Sequence, residues 1–293
     1  MTKTAWVFPG QGSQAVGMGV DLLETDLAKQ RFAQAEEILG WSVPQVCQSE
    51  DDKVSSTLYT QPSLYVVEAI LADLLMEQGQ SPDFVAGHSL GEYVALYAAK
   101  VFEFEAGLKL VKRRSELMSQ ASEGMMAALM GFKRPELDEL LTSTEGAVLA
   151  NDNSPGQVVI SGTPEAVQSV MDTIKAKRKV ALKVSGAFHS PLMADAATEY
   201  QPILDSVPFQ DAQVPVLSNV DPIPATEAPV LKQRLTQQMT GSVRWCEISQ
   251  TLADQGVESI KEVGPGKVLT GLIKRTCKGL NLENINSLAA VSA

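Results

Sequence analysis

Five residues, Gly87-His88-Ser89-Leu90-Gly91, constrain this chain more than any other stretch. The apolar run Phe84-Val85-Ala86 leads into them and a helical pattern, Tyr93 to Ala99, follows. Strand, sharp turn and helix form the context in which a Gly-x-Ser-x-Gly segment becomes a nucleophile elbow, with its serine at the tip of a strand. Gly87 and Gly91 carry no Cβ, so they leave space around Ser89. Ser89 then sits beside a helix N-terminus, whose free N–H groups favour developing negative charge. The pattern also occurs in ordinary glycine-bounded turns, so the serine needs partners from elsewhere in the chain.

Short apolar runs rich in Val, Ile and Phe alternate with longer helical stretches. Strands are expected at Ala5–Phe8, Phe84–Ala86, Met126–Met130, Val148–Ala150, Val158–Ser161, Val180–Val184, Val214–Leu217 and Ser259–Val263. Helices are expected at, among others, Pro62–Gln78, Gly91–Ala99, Glu103–Ser119, Ala228–Met239, Trp245–Gln255 and Val268–Lys278. This alternation predicts an α/β fold, a hydrolase-like core with a mainly parallel sheet around the elbow. From about Met125 to Gly186 the order is strand, helix, strand, strand, helix, strand, with a turn at Asn151–Gly156. That order predicts a small ferredoxin-like subdomain, 125–186, inserted into a large domain made of 1–124 and 187–293. A ligand cleft is expected between the two.

The 293 residues can bury a large core, and 44% hydrophobic with 20% charged residues is ordinary for a globular protein. No apolar run approaches the roughly 20 residues that span a bilayer, and the N-terminus lacks a signal-peptide core, so no membrane association is expected. Cys47, Cys246 and Cys277 lie far apart, which fits a cytoplasmic setting. With only His88 and His189 available, no metal site is expected. A net charge of −11 argues against nucleic acid as a partner. Two basic runs stand out, Lys175, Lys177, Arg178, Lys179 and Lys267, Lys274, Arg275, Lys278. They read either as solvated helix faces or as landing patches for an acidic partner. No dimerisation element is visible, and a monomer is expected.

A serine hydroxyl needs a base at neutral pH, and histidine is the natural one. His88 adjoins Ser89 and points elsewhere in such a turn, which gives it a structural role. His189 lies in a small-residue loop, Ser185 to Pro191, between a strand end and a helix start, and is chosen by elimination. Of the acids between serine and histidine in the chain (Glu92, Asp138, Asp152 and Asp172 among them), none has a compelling context. Asp152 reads as a turn residue, and a Ser–His dyad oriented by a main-chain carbonyl is expected. Arg114 has Leu110, Val111, Leu117 and Met118 as its helical neighbours, so its guanidinium points into an apolar side. A buried arginine calls for an anion, either a protein carboxylate or a substrate carboxylate held by a fork of hydrogen bonds. The loop Pro9-Gly10-Gln11-Gly12-Ser13-Gln14 matches a dinucleotide fingerprint poorly, and is better read as a source of N–H groups for an oxyanion. Gly264-Pro265-Gly266-Lys267 reads as a turn opening the last helix rather than a phosphate loop.

Together the stretches Phe8–Gln14, Gly87–Tyr93, Asn153–Gln157, Gly186–His189 and Glu262–Lys267 make the chain, from about Thr4 to Lys278, resemble the malonyl-CoA:acyl carrier protein transacylase family. The resemblance implies Ser89 as the acylated nucleophile, His189 as its base and Arg114 as receptor of the malonyl carboxylate. It implies an oxyanion hole from the Gln11 and Leu90 backbone N–H groups, and the Gln238 main-chain carbonyl as the group orienting the histidine. Phe188 resembles the malonyl-selective form of its loop, where methylmalonyl-selective relatives usually carry serine. Malonyl-CoA as substrate, acyl carrier protein as partner, no cofactor and a ping-pong reaction are implied too. Fatty acid and polyketide synthesis both stay open, as do a thioesterase or esterase on the same turn and a non-catalytic carrier-protein scaffold.

Overall fold

The structure is a computed structural model that describes residues 2–121 and 124–292. Met1, Ser122, Glu123 and Ala293, which fall inside the expected domain spans, lie outside the described residues. In chain order the elements are β1 (Lys3–Phe8), α1 (Asp26–Leu39), α2 (Val43–Cys47), α3 (Thr57–Glu77), β2 (Phe84–Gly87), α4 (Gly91–Ala98) and α5 (Phe104–Gln120). Then come β3 (Met125–Phe132), α6 (Arg134–Ser143), β4 (Ala147–Ser154), β5 (Gln157–Gly162), α7 (Pro164–Thr173), β6 (Ala176–Ala181) and α8 (Ala194–Ser206). The chain ends with β7 (Val216–Leu217), α9 (Ala228–Gln238), α10 (Trp245–Asp254), β8 (Val257–Val263), α11 (Val268–Thr276), β9 (Asn281–Ile285) and α12 (Leu288–Val291).

The larger sheet has the order β7-β2-β1-β8-β9, and every pairing in it is parallel. β1 and β2 are apolar and buried at every central position, as strands covered by helices on both faces must be. Alternation sends Trp6, Phe8 and Val85 to one face, against α3, α4 and α5, and Ala5, Val7, Phe84 and Ala86 to the other, against α10 and α11. Each large side chain buried this way contributes roughly 1.5–3 kcal/mol. Because Phe8 pairs with Gly87, the loops after β1 and β2 leave the sheet side by side at its carboxyl edge. Open parallel sheets place their ligands at that edge.

The second sheet is antiparallel, with the order β4-β5-β3-β6, and α6 and α7 cover one face through Leu137, Val167 and Val170. Its linkers to the rest of the chain touch, Gly124 lying against Ala187 and Gly186 against Ala121.

Several boundaries differ from the sequence reading. Asn151 to Ser154 belong to β4, and only Pro155 and Gly156 turn the chain. Asn151, Asp152 and Ser154 pair with β5 across two irregular registers, and the side chain of Asn153 bonds to His88. Asp152 is therefore not a turn residue: it accepts a 2.6 Å hydrogen bond from Arg134. β6 spans 176–181 rather than 180–184, so Lys177, Arg178 and Lys179 lie on an edge strand and not on a helix face. Charged side chains on an edge discourage further strand pairing. β9 carries polar residues along a half-buried edge, which hides its strand character. α3 starts at Thr57, with Pro62 inside it rather than opening it. The turn after Val263 does open α11, but α12 follows, so that helix is not the last.

Candidate active site

Ser89 follows β2 with a left-handed backbone, φ 52°, and α4 begins two residues later. The turn is tight enough to require glycine on both sides. A Cβ on Gly87 would lie 1.9 Å from the Gly91 carbonyl carbon, and one on Gly91 would lie 2.0 Å from the Phe8 oxygen. Side chains from distant elements hold the Ser89 backbone in this costly conformation. Its N–H donates to Asn219 Oδ1 at 2.7 Å, and its carbonyl accepts from Gln238 Nε2 at 2.8 Å.

Ser89 Oγ lies 2.8 Å from His189 Nε2. His189 also has a left-handed backbone, φ 56°, and is 4% exposed. Its Nδ1 lies 3.0 Å from the Gln238 carbonyl and 3.1 Å from that of Gly241. Carbonyls only accept, so the proton sits on Nδ1 and Nε2 is left to accept from the serine. Burial, and then the positive charge of Arg114, push the imidazole down to about 3. At neutral pH it is therefore an uncharged base.

Arg114 projects from the apolar face of α5 and is 1% exposed. Nη1 donates to Gln61 Oε1 at 2.7 Å, and Nη2 to Ser89 Oγ and Gln238 Oε1, both at 3.0 Å. Its guanidinium stands over the Tyr93 ring at 5.5 Å. Among the described residues it forms no ion pair within 4.0 Å, and Nε–H has no acceptor. The protein-carboxylate partner that the sequence allowed is thus not what receives this arginine. Three of its five N–H groups are used, and by neutral acceptors, so among the described residues its charge is not neutralised and two donors are unused.

Gln11 and Leu90 lie on the two adjoining loops, and a Cβ on Gly10 would already meet the His88 oxygen at 2.4 Å. Among the described residues neither the Gln11 nor the Leu90 backbone N–H donates to another backbone oxygen. Both residues line a cavity of about 190 Å³ together with Ser89, His189 and Arg114. Its apolar wall includes Met126 and Val159 of the small sheet, Leu182 and Val184 just beyond β6, and Leu269 and Leu272 of α11, so it lies between the two sheets.

The structure brings all six sequence-derived residues together, at Ser89, His189, Arg114, Gln11, Leu90 and Gln238. His88 points away, with Nε2 2.8 Å from Asn153 Oδ1 and its ring against Trp245. Glu92 makes no hydrogen bond to His189. Its Oε2 accepts from Gln238 Nε2 at 2.8 Å and Asn219 N–H at 3.2 Å, and burial raises its carboxyl above the usual range. The sequence reading missed Gln61, Asn219, Gly241 and the Gln238 side chain. Gln61 lay just before the helix expected from Pro62, among Thr60 and Ser63, and became visible as a helix residue only with the true start at Thr57. Asn219, alone after a two-residue strand, had no signal. No three acidic, cysteine or histidine residues gather to hold a metal among the described residues, and no helix there is long and apolar enough to cross a membrane.

A serine in contact with a neutral imidazole, on the carboxyl edge of a parallel sheet, is the equipment of acyl transfer. The family model described as "Acyl transferase domain" matches residues 5–292. The chain belongs to this acyl transferase family. Among curated relatives, a malonyl CoA-acyl carrier protein transacylase of Synechocystis sp. PCC 6803 is 61% identical over 98% of each chain. A polyketide biosynthesis malonyl CoA-acyl carrier protein transacylase of Bacillus subtilis is 42% identical, over 93% of this chain and 96% of the relative. The crystal structure of the Synechocystis malonyl-CoA:ACP transacylase superposes with a TM-score of 0.97 at 60% identity, covering 99% of each chain. The α/β architecture with a parallel and a separate antiparallel sheet is thus that of a solved acyl transferase.

Proposed function

We propose that this chain transfers a malonyl group from malonyl-CoA to the phosphopantetheine thiol of an acyl carrier protein, through an acyl-enzyme on Ser89. One observation carries the reading: Ser89 Oγ touches both His189 Nε2 and Arg114 Nη2, side chains from separate parts of the chain. The turn at Gly87–Gly91 acts as a nucleophile elbow. His189 takes the Ser89 proton as Oγ attacks the thioester carbonyl. The tetrahedral oxyanion accepts from the Gln11 and Leu90 N–H groups, where loss of one donor would cost about 10²–10³-fold in rate. The oxyanion collapses, and CoA leaves as a thiol with the proton from His189. The carrier thiol then repeats the sequence in reverse.

Arg114 binds the free malonyl carboxylate in this scheme. Burial first, and the Arg114 charge second, hold the His189 imidazole down; the malonyl carboxylate offsets the second of these, so a malonyl donor eases protonation of its own base. An acetyl donor brings no such charge. Fatty acid synthesis is the pathway we favour, since the relative named without reference to polyketides is 61% identical and the polyketide one 42%.

The strand order of the small sheet supports a ferredoxin-like subdomain at 125–186, inserted between 1–124 and 187–293 of a hydrolase-like domain. The touching linkers at Gly124 and Gly186 support those boundaries. We take the chain to act as a cytoplasmic monomer, with no partner in nucleic acid or membrane.

The test is acyl selectivity. Two charged hydrogen bonds are worth about 10²-fold or more, so Arg114→Ala is expected to lower kcat/KM for malonyl-CoA by that factor relative to acetyl-CoA. Equal losses for both donors would assign Arg114 a structural role and reopen the thioesterase reading.

A further inference from the structure

The side chain of Gln238 is fully buried, with every polar atom engaged. Nε2 donates to the Ser89 carbonyl and to Glu92 Oε2, both at 2.8 Å, while Oε1 accepts from Arg114 Nη2 at 3.0 Å. The two ends of an amide are not interchangeable. Turned by half a revolution, the NH₂ group would face the Arg114 N–H and the oxygen would face two other oxygens. Glu92 adds to a choice that the Ser89 carbonyl and the Arg114 N–H also favour, because its Oε2 accepts from the Asn219 N–H and from Gln238 Nε2. Glu92 is itself anchored, three residues beyond Ser89 on the buried helix α4, by the Asn219 N–H at 3.2 Å.

The amide also stands between two opposite charges. Glu92 and Arg114 are both about 1% exposed, yet they form no direct ion pair, and each bonds to opposite ends of Gln238. A carboxylate in contact with the guanidinium would occupy the donors that a ligand needs. A neutral amide in that place orients the guanidinium while leaving its charge to the ligand.

We propose that Glu92 and the Gln238 side chain form a polarity relay that holds Arg114 in place for the carboxylate of the acyl donor. The inference rests on the assignment of Arg114 as carboxylate receptor. Glu92 does not touch the acyl group and is a positioning residue. Its effect is selective: it supports donors that carry a carboxylate and matters little for donors that do not.

The experiment measures transfer from malonyl-CoA and from acetyl-CoA to acyl carrier protein, for the wild type, Glu92→Gln, Gln238→Met, Arg114→Ala and the double variant Glu92→Gln/Arg114→Ala. Glutamine at 92 can face Gln238 with either end, and methionine at 238 removes the link while keeping the main-chain carbonyl that His189 uses. Loss of the side-chain bond to the Ser89 carbonyl slows both donors alike and cancels in the malonyl-over-acetyl ratio. Glu92→Gln is expected to lower the malonyl-over-acetyl ratio of kcat/KM by roughly tenfold or more, mainly through the malonyl KM, as loss of one charged hydrogen bond would. Gln238→Met is expected to lower it similarly, and carries the test if Glu92→Gln fails to fold. In the Arg114→Ala background Glu92→Gln is expected to leave the ratio where it is. Equal losses for both donors, an unchanged ratio, or a further fall in that background would overturn the relay. If Arg114→Ala alone leaves the ratio unchanged, the carboxylate receptor itself is wrong. If Arg114→Ala lowers the ratio and the other single variants do not, only the relay is wrong.

Discussion

His189 shows how much of this site is set by single residues and their surroundings. An ordinary histidine titrates near 6.5, but burial and Arg114 push this one down to about 3. A folded-state value below the ordinary one means that the base stays unprotonated as pH falls through the usual histidine range. Labelling of Ser89 in the free protein by a serine-directed phosphonofluoridate is therefore expected to keep its rate from pH 8 down to about pH 5. A fall with a midpoint near 6.5 would mean that His189 is exposed and not neutral by burial. Ser89, His189 and Arg114, which the fold brings together at one cavity, could be singled out because each rests on a simple rule: a turn between glycines, a scarcity of histidines, and a charge on an apolar helix face. Asn219 and Gly241 follow no local rule. They matter through distances to residues 130 and 52 positions away, which only the folded chain defines.

At the scale of elements, the close approach of β1, β2 and α4 brings the loops of Gln11 and Leu90 together beside Ser89. Gly91 lies against the Phe8 and Pro9 carbonyls, where an added Cβ would sit 2.0 Å from one oxygen and 2.7 Å from the other. Gly91→Ala must push the β1 loop away, and Gln11 with it. The expected cost is about 1–3 kcal/mol in stability, with a larger proportional loss in acyl transfer than in substrate binding. Denaturant unfolding and steady-state kinetics check it, and wild-type behaviour in both would contradict the packing described. The buried strands β1 and β2 were legible because continuous apolar runs admit few other fates. Only the apolar first half of β4 was read as strand, and β9 was not, since the polar side chains of Asn151–Ser154 and of β9 read as turn or loop. In β4, Asp152 bonds to Arg134 and Asn153 to His88, partners outside the strand. β6 was misplaced because its charges belong to an edge strand, where solvent and not a core sets the pattern.

For the whole molecule, the distribution of charge matters more than its sum. The chain carries −11, yet Lys267, Lys274, Arg275 and Lys278 line one groove of about 820 Å³. The start of α11 lines the cavity at Ser89 and its last turn carries Lys274 and Arg275, so this groove adjoins that cavity. Lys175, Lys177, Arg178 and Lys179 form a second candidate near and along β6. Reversing Lys274 and Lys278 to Glu is expected to lower kcat/KM for acyl carrier protein about tenfold at low salt, and to leave acylation by malonyl-CoA nearly intact. Equal loss in both half-reactions would remove the groove as a docking surface. The most direct test of the function is the intact mass of the protein after exposure to malonyl-CoA without carrier protein. The expected result is a gain of one malonyl group on the peptide holding Ser89, absent in Ser89→Ala and discharged by added acyl carrier protein. An unchanged mass, or an adduct on another residue, would contradict it.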